Sequence, residues 1–210
     1  MKTQIHRGLR TVVGPIANFF YHQIEARKWV RLMHGQAPIK LELGAGGKKG
    51  ANGWTTIDLG GADISHDLRH GIPLDNESVE AIYSSHLLEH LNHKQIIQLL
   101  DECRRVLVKG GTIRTSVPNS RLYINCYLNG TEFKTKSEMH QPAICDTGSR
   151  MDQINYIAYM NEEHQYMFDE ENLVNIFLMS GYSDSSLSEY DHTIDPEDRR
   201  YESIYCVARK

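Results

Sequence analysis

The chain predicts an α/β fold, a mostly parallel sheet with helices on both faces. Short apolar runs bounded by glycine recur from Ile39 onward, and an amphipathic helix separates two of them. A second helix then precedes a pair of closing strands. At 210 residues, 40% hydrophobic and 24% charged, the composition suits one domain with an appendage. It excludes disorder, collagen or a coiled coil as a description of the whole chain.

Residues 9–33 read as helix, with Leu9, Val12, Val13, Ile16, Phe19, Phe20 and Val30 on one stripe and Arg7, Arg10 and Lys28 opposite. Gly14–Pro15 kinks this helix or starts a second one at Pro15. Gln36–Ala37–Pro38 is the linker, so residues 1–37 form an amphipathic arm and residues 38–210 the body. In the body, "IKLELG" (39–44), "GWTTIDL" (53–59), "VEAIYSS" (79–85) and "GTIRTSVP" (111–118) are strands. Between the last two, Lys94–Val108 is a helix with Ile96, Ile97, Leu99, Leu100, Cys103, Val106 and Leu107 on one face and Gly110–Gly111 as its stop. Residues 119–165 are polar and rich in Tyr and Met, too long for a plain connection, and read as a lid insertion with short helices. A helix over Asp169–Gly181 follows, then "SDSSLSEYDHTID" and "YESIYCVAR" as two strands joined by an acidic turn. Gly46, Gly47, Gly50 and Gly53 leave the first crossover with a short helix or none.

The formal charge of −4 is unevenly placed: residues 1–37 carry +5, and the remainder −9. So acidic a body excludes a nucleic-acid-binding face, which relies on clustered Lys and Arg. No apolar run reaches the ~20 residues of a membrane-spanning helix, and Arg7 and Arg10 interrupt any signal-peptide core. Cys103, Cys126, Cys145 and Cys206 form no Cys-x-x-Cys pair. A reducing, cytoplasmic setting is expected, with no structural zinc. The arm is expected to pack on its own chain or a twin subunit, making a homodimer. An interfacial helix at the inner face of the membrane is the sharper alternative.

The chemistry begins at "LELGAGGKKG" (41–50), a strand running into a glycine turn. A phosphate-binding loop of the Walker type needs Ser or Thr after Gly-Lys, whereas Lys49 follows Lys48. A dinucleotide fingerprint needs a third glycine where Lys49 stands. Glu42, Gly44 and Gly46 do satisfy Glu-x-Gly-x-Gly, a nucleoside-binding turn. Asp58 ends the next strand, 12 residues beyond Gly46. A carboxylate there can accept both hydroxyls of a ribose, or simply order a turn.

Together with "DISHDLRHGIPLDNESVEAIYSSHLLEHL" and "ECRRVLVKGGTIRTSVP", these residues resemble class I S-adenosylmethionine (SAM)-dependent methyltransferases. The similarity is closest to small methyltransferases predicted to act in cell-surface polysaccharide synthesis. It runs from about Ile39 to Asn119 and returns in "HQYMFDEENLVNIFLMSGY" (164–182). The resemblance implies a Rossmann-like sheet, S-adenosyl-L-methionine as cofactor, and methyl transfer to a hydroxyl of a sugar or similar small metabolite. It also implies site roles. Glu42, Gly44 and Gly46 would line the methionine side, Asp58 the ribose, Asp67 and Leu68 the adenine, and Ser84, Ser85 and His86 the methionyl end.

A hydroxyl acceptor benefits from a base near neutral pH, which histidine can supply. His164 is the first candidate and His86 the second, with His140 and Tyr166 also placed to touch the acceptor. His86, Glu89 and His90 match the His-x-x-Glu-His pattern of inverted zinc proteases, since two histidines four apart share a helix face. No third ligand is evident, so no metal site is assigned, and His90 reads as a buried imidazole bonded to backbone. The alternatives to an enzyme of this class are an inactive, methyltransferase-like binding subunit and a zinc hydrolase.

Overall fold

The computed structural model describes residues 15–35, 38–131 and 145–210, with side chains of the first helix described from residue 23. Seven strands form one sheet: β1 (Ile39–Leu43), β2 (Trp54–Asp58), β3 (Ile64–Ser65), β4 (Val79–Ser85), β5 (Leu107–Pro118), β6 (Asp184–Ser188) and β7 (Ser203–Arg209), in the order β3-β2-β1-β4-β5-β7-β6. All neighbours are parallel except β7, which runs antiparallel to both β5 and β6. This is the expected mostly parallel, Rossmann-like sheet. The strand at one edge, β3, was not expected. Its two residues are too few to show an alternating pattern.

The central strands are apolar because both faces are covered. Leu41, Leu43, Ile57, Ile82, Ile113 and Val117 are almost wholly buried. Helix α2 (His93–Val106) covers one face with Ile96, Leu99, Leu100, Cys103 and Val106. It starts in a capping box, in which Asn92 and Gln95 each accept the other's backbone N–H. It stops two residues earlier than the expected Val108. The N–H groups of Glu77 and Ser78 take the carbonyls of Arg105 and Val106, and Leu107 is already extended. Gly110 and Gly111 therefore end no helix. They lie inside β5, in the irregularity between the pairs Val79–Leu107 and Ala81–Thr112.

Helices α3 (Ser120–Asn129) and α4 (Met151–Tyr159) follow β5 and pack around Tyr123, Tyr156 and Ile157. Helix α5 (Glu170–Met179) begins at the N-cap Asp169 as the sequence suggested. Of the expected strand 183–195 only Asp184–Ser188 pairs. The remainder turns back so that Asp195 can meet Arg114 of β5.

Helix α1 is described over Pro15–Met33. Trp29 is buried and sets its ring edge-on to His66, while Glu25 accepts the N–H of Ser65 and Lys28 donates to the Asp63 carbonyl. Among the described residues the docked face is Glu25, Trp29 and Leu32, which packs on the core. Val30 of the apolar stripe read from the sequence is 48% exposed. Leu9, Val12 and Val13 lie outside the described residues, as do the side chains of Ile16, Phe19 and Phe20.

The Arg114–Asp195 pair is the main charged contact inside the body. Both Arg114 Nε and Nη2 donate to the Asp195 carboxylate, which is fully buried, and the guanidinium also reaches Ser188 Oγ and the Glu189 carbonyl. Asp195→Ala strands a buried guanidinium, and is expected to cost about 3–5 kcal/mol of stability. Thermal unfolding checks this; a loss below about 1 kcal/mol would show that the pair matters little.

Candidate functional site

Parallel pairing brings the carboxyl ends of β1, β2 and β4 to one edge, and a cleft of about 750 Å³ opens there. Its walls come from the β1–β2 turn, the turn after β2, the segment 66–69, the segment after β4, and the loop before β7.

The glycine turn replaces a crossover helix, as the glycine content suggested. Gly44 and Gly46 have φ of 71° and 62°, a left-handed backbone that glycine adopts without strain. The N–H groups of Gly44 and Ala45 both point to the Ile57 carbonyl, tying the turn to β2. Gly46 N–H donates to Asp58 Oδ2 at 2.8 Å and Leu59 N–H to Oδ1 at 2.6 Å, so Asp58 orders the turn and keeps lone pairs on both oxygens. A second carboxylate, Asp63, accepts from Gly50 N–H and from the N–H and hydroxyl of Thr56. Desolvation pushes its pKa up, but those hydrogen bonds outweigh it and hold the carboxyl below its ordinary value.

Glu42 lines the cleft with its carboxylate already held by Lys48, whose Nζ is 3.0 Å from both oxygens. Asp67 and Leu68 lie on the opposite wall. The side-chain hydrogen bond from Arg69 holds the Asp67 pKa down at about 2 against the opposing desolvation. Ser85 reaches the cleft, and Arg199 donates to its carbonyl and hydroxyl. Ser84 does not reach it. Its hydroxyl is buried between strands and bonded to Thr115 Oγ1 at 2.7 Å, which corrects its expected place at the methionyl end.

The segment after β4 is not the continuous helix that the His-x-x-Glu-His pattern needs. His86 has φ of 53°, and only a 3-10 turn, Leu88–His90, follows. His86 and His90 therefore share no helix face, and the inverted-protease reading fails on geometry. His86 lines the cleft, but its Nε2–H goes to Ser203 Oγ at 2.7 Å, since that hydroxyl spends its own proton on the Arg199 carbonyl. His164 is buried and is not part of the cleft wall; its Nδ1–H donates to the Ile157 carbonyl at 2.8 Å. Burial lowers its pKa. Tyr166 packs between His93 and Phe168, away from the cleft, and His140 lies outside the described residues.

Sequence reasoning missed Lys48, His66, Arg199 and Asp198 on the wall. Arg199 and Asp198 sit in the loop before β7, far along the chain, with no local pattern to mark them. It also misread His90, which does bond to backbone, the Glu163 carbonyl, but stands at the cleft with its side chain 36% exposed. Glu89 beside it is 2% exposed, neither carboxylate oxygen has a hydrogen-bond partner, and burial pushes its pKa up to about 8.

Residues 41–115 match the family described as a methyltransferase domain. No curated protein matches the sequence. Among solved structures, the chain is similar to a SAM-dependent methyltransferase from Archaeoglobus fulgidus, at 14% identity and a TM-score of 0.51, over 90% of this chain and 94% of that one. A protein from Thermotoga maritima, described as a possible histamine N-methyltransferase, aligns at 12% identity and a TM-score of 0.52, over 91% and 92%. A SAM-dependent methyltransferase from Methanosarcina mazei aligns at 14% and 0.51, over 86% and 96%. At these identities the likeness is one of fold.

The glycine turn has little room for change. A Cβ at Gly44 would stand 2.9 Å from Cβ and Cδ1 of Leu87, on a left-handed backbone. Gly44→Ala is expected to cost at least about 1–2 kcal/mol from the backbone alone. The measurement is thermal unfolding of the variant; an unchanged Tm would mean the turn and the Leu87 segment are not held in this arrangement.

Proposed function

We propose that this SAM-dependent methyltransferase, whose cofactor is S-adenosyl-L-methionine, methylates a hydroxyl of a sugar or similar small metabolite. The observation that carries the acceptor class is the far end of the cleft. Besides Ser85 and His86 its lining includes His90, Glu163, Asp198 and Arg199, charged and hydrogen-bonding groups that can hold a hydroxyl-rich acceptor, with Leu87, Leu91 and Pro196 between them to pack on its ring. A place in cell-surface polysaccharide synthesis follows from the family resemblance and from this acceptor class. The same reading puts the enzyme in the cytoplasm, where its four unpaired cysteines stay reduced. Among the described residues no helix is long and apolar enough to cross a membrane.

The residues present fit the cofactor. A Cβ built at Gly46 would meet no atom within 4 Å, so the turn leaves open space above its backbone where a nucleoside can approach. The cofactor supplies an electrophilic methyl group on a sulfonium centre. Asp58 is assigned to the ribose hydroxyls, which its spare lone pairs can accept while Gly46 and Leu59 hold it still. Asp67 and Leu68 are assigned to the adenine, Glu42 with the glycine turn to the methionine side, and Ser85 and His86 to the methionyl end. Lys48 must yield part of Glu42 if a cationic amine is to approach it.

In-line displacement depends mainly on holding the acceptor oxygen behind the methyl carbon, and proximity of this kind can supply several kcal/mol of the barrier. Of the two expected bases, His86 is on the wall and turns its Nε2–H to Ser203, while His164 is one layer behind His90. This assigns His86 to positioning and gives His164 no direct proton transfer.

Titration calorimetry of the full chain with S-adenosyl-L-methionine and its demethylated product is the first test. Binding heat is expected, and Asp58→Ala is expected to weaken binding at least about tenfold through lost charge-assisted hydrogen bonds. No heat from folded protein, or an unchanged affinity in the variant, overturns the site assignment. For the acceptor, incubation with methyl-labelled cofactor and matched panels of sugars and amines is expected to place label in sugar ethers. Label found only in methylated amines would overturn the hydroxyl reading.

A further inference from the structure

At the acceptor end of the cleft, His90 of the wall meets two buried side chains, Glu89 and His164, that the proposed methyl transfer does not use. One donor atom each from Glu89, His90 and His164 lies within 4.8 Å of the other two. We propose that these three residues bind a first-row divalent metal ion, with Zn2+ as the reference member, and present it to the acceptor end of the cleft. The role at the cleft rests on the methyltransferase reading; the binding itself does not.

The arrangement of hydrogen bonds argues for ligands. Nδ1–H of His90 donates to the Glu163 carbonyl at 3.1 Å, and Nδ1–H of His164 donates to the Ile157 carbonyl at 2.8 Å. A carbonyl can only accept, so both rings are fixed with the proton on Nδ1 and a lone pair on Nε2. This is the support that metal-bound imidazoles ordinarily have, with the second ring nitrogen tied to a backbone carbonyl. The two rings stand edge to face with centroids 5.1 Å apart, and His90 Nε2 is 4.0 Å from Glu89 Oε1.

The carboxylate is the second, independent observation. Glu89 is 2% exposed, and neither of its oxygens has a hydrogen-bond partner. Its backbone is well used, because its carbonyl accepts the N–H groups of Gln165 and Tyr166 and so holds the segment bearing His164 against the turn. A buried carboxylate without donors is costly unless it holds a proton or a cation joins it. His86 Nδ1 is 3.5 Å from Oε1, at ion-pair range but outside hydrogen-bond geometry.

One carboxylate and two imidazoles favour a borderline transition-metal ion over Mg2+ or Ca2+, which prefer oxygen alone. Metal–ligand distances of about 2.0–2.2 Å require the donors to draw in to about 3.3 Å from one another. Three protein ligands leave at least one position open, and His90 turns that position to the cleft. There an acceptor hydroxyl could bind and lose its proton more readily, as metal-bound water does. The oxygen would then form its bond to the methyl carbon as the carbon–sulfur bond breaks, and the proton would pass to solvent.

The test begins with full-length protein stripped by chelator and dialysed against ZnCl2, MnCl2 or MgCl2, with bound metal measured by elemental analysis. One equivalent of Zn2+ is expected, with Mg2+ weaker. Glu89→Gln, close in shape, and His90→Ala, at the cleft wall, are each expected to weaken Zn2+ binding by about 100-fold or more. Circular dichroism and cofactor affinity, which these changes should leave intact, separate lost ligation from lost folding. Substituted Co2+ should show the visible bands of a low-coordinate site, absent in both variants. Less than about 0.2 equivalents of Zn2+, or unchanged binding in folded variants, overturns the proposal. Because cofactor calorimetry needs no metal, that failure would leave the methyltransferase reading standing, and failure of cofactor binding would leave the metal result standing.

Discussion

The site depends on the parallel pairing of β1 with β4. Parallel strands must end at the same edge, and this register sets Leu43 opposite Ser84. The glycine turn and the His86 turn therefore leave the sheet side by side, Gly44 one residue and His86 two residues beyond that pair. The register continues across β5, where Ser84 and Ser85 face Thr115 and Ser116. Their hydroxyls bond in pairs inside the sheet, Ser84 with Thr115 and Ser85 with Ser116. Four buried hydroxyls thus satisfy one another where the apolar core gives way to the cleft, and they hold the strand ends in line at little cost in unpaired polar groups.

Losing the first crossover helix changes how the cofactor turn is held. A helix would supply aligned backbone dipoles and a packed face. Here two carboxylates do the positioning, Asp58 through Gly46 and Leu59, and Asp63 through Gly50 and Thr56. A Cβ at Gly50 would stand 2.0 Å from the Trp54 carbonyl, so the glycine there is set by close packing of the chain on itself.

The arm and the acceptor end show how local patterns mislead when a neighbour decides. Val30 looks like part of an apolar packing stripe yet is exposed, while the body takes Glu25 and Trp29, where Ser65 N–H meets the Glu25 carboxylate and His66 offers an aromatic edge. Likewise His-x-x-Glu-His looks like a helical pair of metal ligands. The left-handed His86 separates the two histidines, and the third member of the cluster, His164, arrives from 74 positions further on.

The sequence alone determined what depends on neighbours along the chain. The parallel sheet follows from alternating apolar runs and helices, α2 and α5 from their periodicity and caps, the shortened crossover from four glycines, and Asp58 from its place at a strand end. These are local or short-range effects, visible as spacing. Only the tertiary structure decided the rest. It turned Ser84 into the sheet and carried Arg199 across to Ser85. It also tied Asp58 to Gly46 and Asp63 to Gly50 of the turn and gathered Glu89, His90 and His164 at the acceptor end. Each of these joins residues from separate elements, and which partners meet is set by strand order and register, which composition and periodicity do not encode.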